Sequence, residues 1–453
     1  MRDKVFAGTI VLPDRPIERG WVLACDGRVE RVGAGDAPAG ERHGGPGFLV
    51  LPGAIDGQVH SRSPAQAEDF NWSTRSAAAG GVTTIVDMPY DDGDLIATPE
   101  RFARKVETAG AQARVDFALY ATVDPADGPA RIADLVAAGA AAFKFSTFGT
   151  DPRRFPRIPP HTLHACFAAL APHGLAAGVH NENDEMVRAF MAEVRESGVT
   201  DWRAHGRSRP PITETLAMAE IYEIGAATGC PTHVVHCSIG RGYELCAAYR
   251  AQGFASTVEA CIHYLVLSED DAARLGGRSK CNPPIRPREE VEALWRHLAA
   301  GSVSIVSTDH VSWPEDRKSD PDMLANASGL PGLEPLVALL LKGLDERGLP
   351  LTWAARLLAH NPARLFRLGH RKGALEPGRD ADVVLAKRDP WTYRASESGN
   401  NFAPWSPYDG MALPFRVLQT FNRGECVASE GRVLAEPGAG TFVSPLRPQG
   451  LAA

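Results

Sequence analysis

Eight short apolar runs recur between residues 50 and 309, and Ala-rich helical stretches separate several of them. The runs are Val50–His60, Val82–Met88, Val115–Val123, Ala140–Ser146, Ala176–His180, Thr232–Cys237, Ala255–His263 and Val303–Asp309. The helical stretches include Pro99–Glu107, Pro129–Ala138, His161–Ala171 and Thr213–Thr228. Short apolar strands alternating with helices predict parallel βα units in an α/β fold, and eight is the number that closes a (β/α)8 TIM barrel. An open doubly wound sheet usually carries a glycine-rich phosphate fingerprint after its first strand, and none is present.

The two ends of the chain have another texture. Ala7–Leu12, Gly20–Cys25 and Gly27–Val32 are brief apolar runs broken by glycine, and Ala381–Ala386 and Arg416–Val427 resemble them. Turn signals every eight to twelve residues predict β-structure. Neither end buries much core alone, so residues 1–50 and 372–453 are expected to pair as one small β-sandwich domain beside a barrel of residues 51–371.

Charge narrows the function. Lys and Arg total 48 against 55 acidic residues, a net charge of −7, and no basic tract occurs, which argues against a nucleic-acid partner. No uncharged run reaches the ~18 residues of a membrane-spanning helix. The first residues lack an apolar run followed by a small-residue cleavage site. The eight cysteines are scattered without a C-x-x-C pair, as in reduced cytosolic proteins. The expectation is a cytoplasmic protein with no membrane partner.

Polar residues gather where the strands end. The first run closes on Gln58-Val59-His60, alternate residues that share a face. Lys144 sits between Phe143 and Phe145, and the fifth, sixth and eighth runs reach His180, His236 and Asp309. A lone strand histidine is usually a satisfied core residue. Candidates at the same end of five different strands mark the C-terminal mouth, where barrels build active sites.

The motifs around these residues resemble the cyclic amidohydrolases of the amidohydrolase superfamily, which include dihydroorotases, allantoinases and hydantoinases. They are Leu51–His60, Glu68-Asp-Phe70, Ala77–Pro89, Phe143-Lys144-Phe145, Val179–Asn183 and His236-Cys-Ser238. Further on come Asn282-Pro-Pro-Ile-Arg286, Ser307–His310, Asn361-Pro-Ala363, Gly378–Val383 and Ser406–Gly410. The resemblance implies a divalent metal site, usually zinc, with one or two ions. His60 and Asp309 would hold one ion and His180 and His236 the other. Lys144 would bridge them as a carbamate formed with CO2, since an ammonium cannot ligate a metal. Metal-activated hydroxide would open the ring amide of a small cyclic amide, imide or ureide, with Asp309 as general base and then acid.

One position departs from the resemblance. The family pattern is His-x-His, and this chain has Gln58-Val59-His60. Three outcomes stay open: weak ligation through the amide oxygen, a single-metal enzyme, or lost catalysis. With the other five residues present, a retained but altered metal site is the expectation. Arg62 matches a substrate-carboxylate arginine of dihydroorotase-like proteins, or it is a surface loop residue. Tyr90 stands in Met88-Pro-Tyr90 where dihydroorotases carry asparagine, and Asn282 either meets a ring imide or simply turns the chain. Gly149 occupies the position of the tyrosine that hydantoinases place five residues after the lysine. Glu182 alternates onto the face of His180 as a candidate orienter, Cys237 reads as packing, and His263 faces either the mouth or the core. Trp72, Trp202 and Trp313 lie in polar loops near the expected mouth, and Met323–Glu334 is a candidate lid. The alternatives are a non-catalytic scaffold of the same fold and a hydrolase of linear amides. The resemblance also implies a homodimer or homotetramer.

Overall fold

The computed structural model describes residues 3–63 and 68–446. Eight parallel strands form the central sheet: β1 (Ala54–Val59), β2 (Val82–Asp87), β3 (Asp116–Ala121), β4 (Ala142–Ser146), β5 (Ala176–His180), β6 (Thr232–Val234), β7 (Ser256–Cys261) and β8 (Ile305–Ser307). Every residue of β1 through β5 is buried, because the strands face a packed interior on one side and covering helices on the other. The ring completes between β8 and β1. His310 N–H donates to the Gln58 carbonyl (3.2 Å), His60 N–H donates to the His310 carbonyl (3.0 Å), and Val59 and His310 form a parallel bridge.

The predicted helical stretches are helical, with ends that shift in either direction. Pro99–Gln112 begins at Thr98, whose hydroxyl accepts the Arg101 N–H. It runs past the predicted end at Glu107, because packing of the fully buried Ala109 outweighs the ~1 kcal/mol penalty of Gly110.

The first predicted run, Val50–His60, divides in the structure. Its first part belongs to the strand Glu41–Pro52, which pairs antiparallel with Val383–Thr392, and only Ala54–Val59 enters the barrel. Gly53 is the joint. A β-carbon there would meet Thr83 Oγ1 at 2.2 Å, so only glycine lets the chain pass between the two sheets.

The terminal strands pair into one eight-stranded sheet, with Lys4–Val11, Pro16–Cys25, Arg28–Ala34 and Glu41–Pro52 joined to four strands between Val383 and Val433. The sheet curls over its own core. Phe6 and Phe421 lie three strands apart in that order, yet their ring centroids are 4.7 Å apart. The two sheets are tied by the buried Lys372, whose ammonium contacts Asp116 at the start of β3 (2.5 Å), Asp380 (3.0 Å) and Asp382 (2.8 Å). Arg423 also pairs with Asp116. Among the described residues no helix is long and apolar enough to cross a membrane.

Candidate active site

One cavity opens at the C-terminal mouth of the barrel, and its walls include Gln58, His60, Lys144, His180, His236 and Asp309. Two of these side chains depend on unusual backbone. His236 (φ 41°) and Asp309 (φ 48°) both adopt left-handed conformations, which cost an L-residue roughly 1–2 kcal/mol. Each bend is braced by a buried carboxylate on the neighbouring strand. Glu259 on β7 accepts the His236 N–H at 3.0 Å. Asp56 on β1 accepts the N–H groups of Gln58 (3.1 Å) and Thr308 (3.2 Å) and the Thr308 hydroxyl (2.5 Å). Burial pushes the Asp56 carboxyl up to about 7. Reading the sequence missed both braces. Asp56 alternates with Gln58 and His60, and Glu259 is the one charge in the strand Ser256–Cys261, so each leaves a signal.

The polar groups meet as two pairs. His60 Nε2 lies 3.1 Å from Asp309 Oδ1, and the Gln58 amide donates to the same oxygen at 2.6 Å. His180 Nδ1 lies 2.9 Å from His236 Nε2. His180 Nε2 contacts Glu182 at 2.8 Å, and Glu182 is in turn paired with the buried Arg209. Burial opposes the charge on Glu182, but Arg209 and His180 outweigh it and hold the carboxyl well below its usual range. Burial also lowers His60, His180 and His236, which keeps the imidazoles in the neutral form a metal requires.

These donors fit a cation unequally. With its Nε2 hydrogen committed to Glu182, His180 turns a bare Nδ1 toward His236, the arrangement in which a carboxylate fixes the tautomer of a ligating imidazole. The other position is poorer, because Gln58 is neutral and its Nε2, not its oxygen, faces Asp309; Oε1 is buried without a partner. Among the described residues no three His, Cys, Asp or Glu side chains surround a common point. Lys144 stands on the wall of the same cavity: burial lowers its ammonium to about 8, and its neighbour is the Phe155 ring at 5.9 Å.

Tyr90, Phe155 and Trp313 are aromatic parts of the remaining walls. Tyr90 stacks on His60 (6.1 Å, 7°), and Phe155 meets both Tyr90 (5.1 Å) and His180 (5.6 Å) edge-on. Tyr90 is held from below by the buried Lys105, which donates to the Met88 (2.5 Å) and Tyr90 (2.6 Å) carbonyls and pairs with Asp87 (2.6 Å). Asn282 and Trp313 also line the cavity, as do Ser328 and Gly329 from the predicted lid stretch.

Arg62 does not reach the cavity. Its Nε pairs with Asp91 at 2.6 Å, because a left-handed turn at Arg62 (φ 55°) carries the side chain away from the mouth. The arginine that does line the cavity is Arg154, which the sequence reading overlooked. Trp72 packs against Phe402 instead (6.4 Å), and Trp202 lines a separate cleft. Cys237 packs against Met218 (3.9 Å), and His263 is buried outside the cavity walls.

The chain matches the amidohydrolase family over residues 49–427. It is 38% identical to an allantoinase of Rubrobacter xylanophilus over 433 residues, 95% of each chain. It is 31% identical to an L-hydantoinase of Paenarthrobacter aurescens over 431 residues, 93% of this chain and 94% of the relative. The solved L-hydantoinase (dihydropyrimidinase) of Arthrobacter aurescens superposes with a TM-score of 0.93 at 30% identity, covering 98% of this chain and 100% of that one. With its barrel, its ordered motifs and these relatives, the chain belongs to the amidohydrolase family, among the cyclic amidohydrolases.

Proposed function

We propose that the chain hydrolyses the ring amide of a cyclic ureide of the allantoin or hydantoin type with the help of a divalent cation. The observation carrying this reading is that His60, Lys144, His180, His236 and Asp309, from five strands, line one cavity. The similarity to an allantoinase and hydantoinases supports the substrate class. A cation there, zinc by its preference for imidazole and carboxylate donors, supplies a Lewis acid that polarises a carbonyl and makes water acidic. His180 and His236 would hold it through neutral nitrogens, together with Lys144 as its carbamate, and His60 and Asp309 would serve the poorer position beside Gln58.

Asp309 acts on the proton. Burial raises its carboxyl, but the hydrogen bond with His60 and the nearby Lys144 are among the contacts that outweigh that and keep it ionised. It takes a proton from the attacking water and delivers it to the departing ring nitrogen. The C–N bond breaks as hydroxyl joins the carbonyl carbon and hydrogen joins the nitrogen. Tyr90 and Phe155 flank the ring and exclude bulk water. Asn282 Oδ1, buried without a partner, accepts a ring N–H.

The test is turnover of allantoin, hydantoin, dihydrouracil, dihydroorotate and succinimide by protein supplied with zinc and bicarbonate. Turnover of allantoin or hydantoin is expected. No turnover of any ring despite full metal loading would replace this reading with the non-catalytic scaffold. The reading also includes a homodimer or homotetramer, which light scattering on the eluting protein checks.

A further inference from the structure

Arg154 is the one charged side chain among the described cavity walls that stands outside the His–Lys–Asp group. It rises from a tight hairpin after β4, in which Phe155 N–H donates to the Asp151 carbonyl (2.9 Å) and Asp151 N–H donates to the Phe155 carbonyl (3.2 Å). Asp151 spends its own carboxylate on the backbone N–H groups of Arg153 (2.9 Å) and Arg154 (2.8 Å). The hairpin is thus fixed from within, and its acidic residue is occupied in fixing it.

The guanidinium keeps one modest contact, Nη1 donating to Ser63 Oγ at 3.2 Å. Ser63 Oγ is itself 3.4 Å from His60 Nδ1. No carboxylate among the described residues pairs with Arg154, whereas Arg62 nearby is committed to Asp91. A guanidinium stays charged at every physiological pH and carries five N–H donors. Arg154 shares the cavity walls with Tyr90, Phe155, Val311 and Trp313, and the Ser63 hydroxyl uses only one of those donors. The next residue, Phe155, packs on His180, so Arg154 borders the same cavity as the His–Lys–Asp group.

We propose that Arg154 is a substrate-contacting specificity residue that binds a planar acceptor carried on the ring, either a ureido carbonyl or a carboxylate, and so favours rings bearing such a group over unsubstituted or alkyl-substituted rings. This rests on the cyclic-ureide reading and sharpens it. A fork of parallel donors matches both acceptors, and an alkyl group would leave the donors without a partner.

The experiment measures kcat/KM of the unaltered enzyme, R154M and R154K on four rings: hydantoin, 5-methylhydantoin, allantoin and hydantoin-5-acetate. R154M is expected to lose roughly 10- to 100-fold more on an acceptor-bearing ring than on hydantoin. Whichever of allantoin and hydantoin-5-acetate shows the excess loss identifies the acceptor. R154K, which keeps the charge without the fork, should recover more on the carboxylate than on the ureide. Equal losses on all four rings would overturn the inference. Circular dichroism on each variant separates misfolding from lost recognition. If the unaltered enzyme opens none of the rings, the ring-opening reading fails by itself. Calorimetric binding of the same four compounds then decides on Arg154: tighter binding of the acceptor-bearing rings that vanishes in R154M supports it, and unranked binding refutes it.

Discussion

Gln58 sits between Asp56, which braces the Asp309 bend, and His60, which contacts Asp309 directly. Its amide is neutral, and an amide oxygen binds a borderline metal more weakly than imidazole does. A histidine at this position would give the His60–Asp309 pair a third strong donor. Gln58→His is therefore expected to raise bound metal by about one equivalent per chain, measured by plasma mass spectrometry on protein purified without chelators. An unchanged metal content would mean that the amide already suffices as a ligand. His180 contrasts with this, since Glu182 and Arg209 already fix its tautomer.

Among elements, the segment after β8 is held by two buried lysines. The buried Lys318 donates to the Lys280 (2.8 Å), Ala327 (2.8 Å) and Gly329 (3.0 Å) carbonyls, and Lys280 donates to Leu324 (2.6 Å) and Asn326 (2.6 Å). Gly329 N–H returns to the Lys280 carbonyl at 2.9 Å. A β-carbon at Gly329 (φ +131°) would sit 2.5 Å from Val311 Cβ, so the crossing requires glycine. The two lysines thereby lock the Ser328–Gly329 wall to the turn that carries Asn282, and the predicted lid is a clamped wall. Lys318→Met keeps the volume and removes the donors. It should cost roughly 1–3 kcal/mol of stability, read by denaturant titration, and raise KM more than it lowers kcat. Unaltered stability and KM together would show that the clamp is dispensable.

In the whole molecule, the barrel and the terminal sheet share a buried charge cluster. Lys372 bridges Asp116 on β3 to Asp380 and Asp382 at the entry to the strand Val383–Thr392. Arg371 and Arg423 pair with Asp380 and Asp116. Removing one member of a buried ionic cluster strands the others in a medium that solvates them poorly. Lys372→Met is expected to lose roughly 3–5 kcal/mol, seen as earlier loss of near-ultraviolet circular dichroism on heating. A heating curve identical to that of the unaltered protein would mean that the two arginines carry the junction alone.

Much of this architecture was legible before any coordinates. Apolar runs of strand length, spaced by helical stretches, located all eight barrel strands, because burial on both faces demands uninterrupted apolar residues. Alternation placed Gln58 and His60 on one face, and strand ends marked Lys144, His180, His236 and Asp309, since these properties are local to each strand. Contacts between distant residues were not legible. Gln58 and Asp309 are 251 positions apart and meet only because the barrel closes. Likewise, Arg62 follows the first strand, as a mouth residue should, yet its turn delivers it to Asp91 while Arg154 reaches the cavity from another loop. Periodicity in a sequence records which side of an element is buried. Which partner a charged side chain finds depends on distances that exist only once the chain has closed on itself.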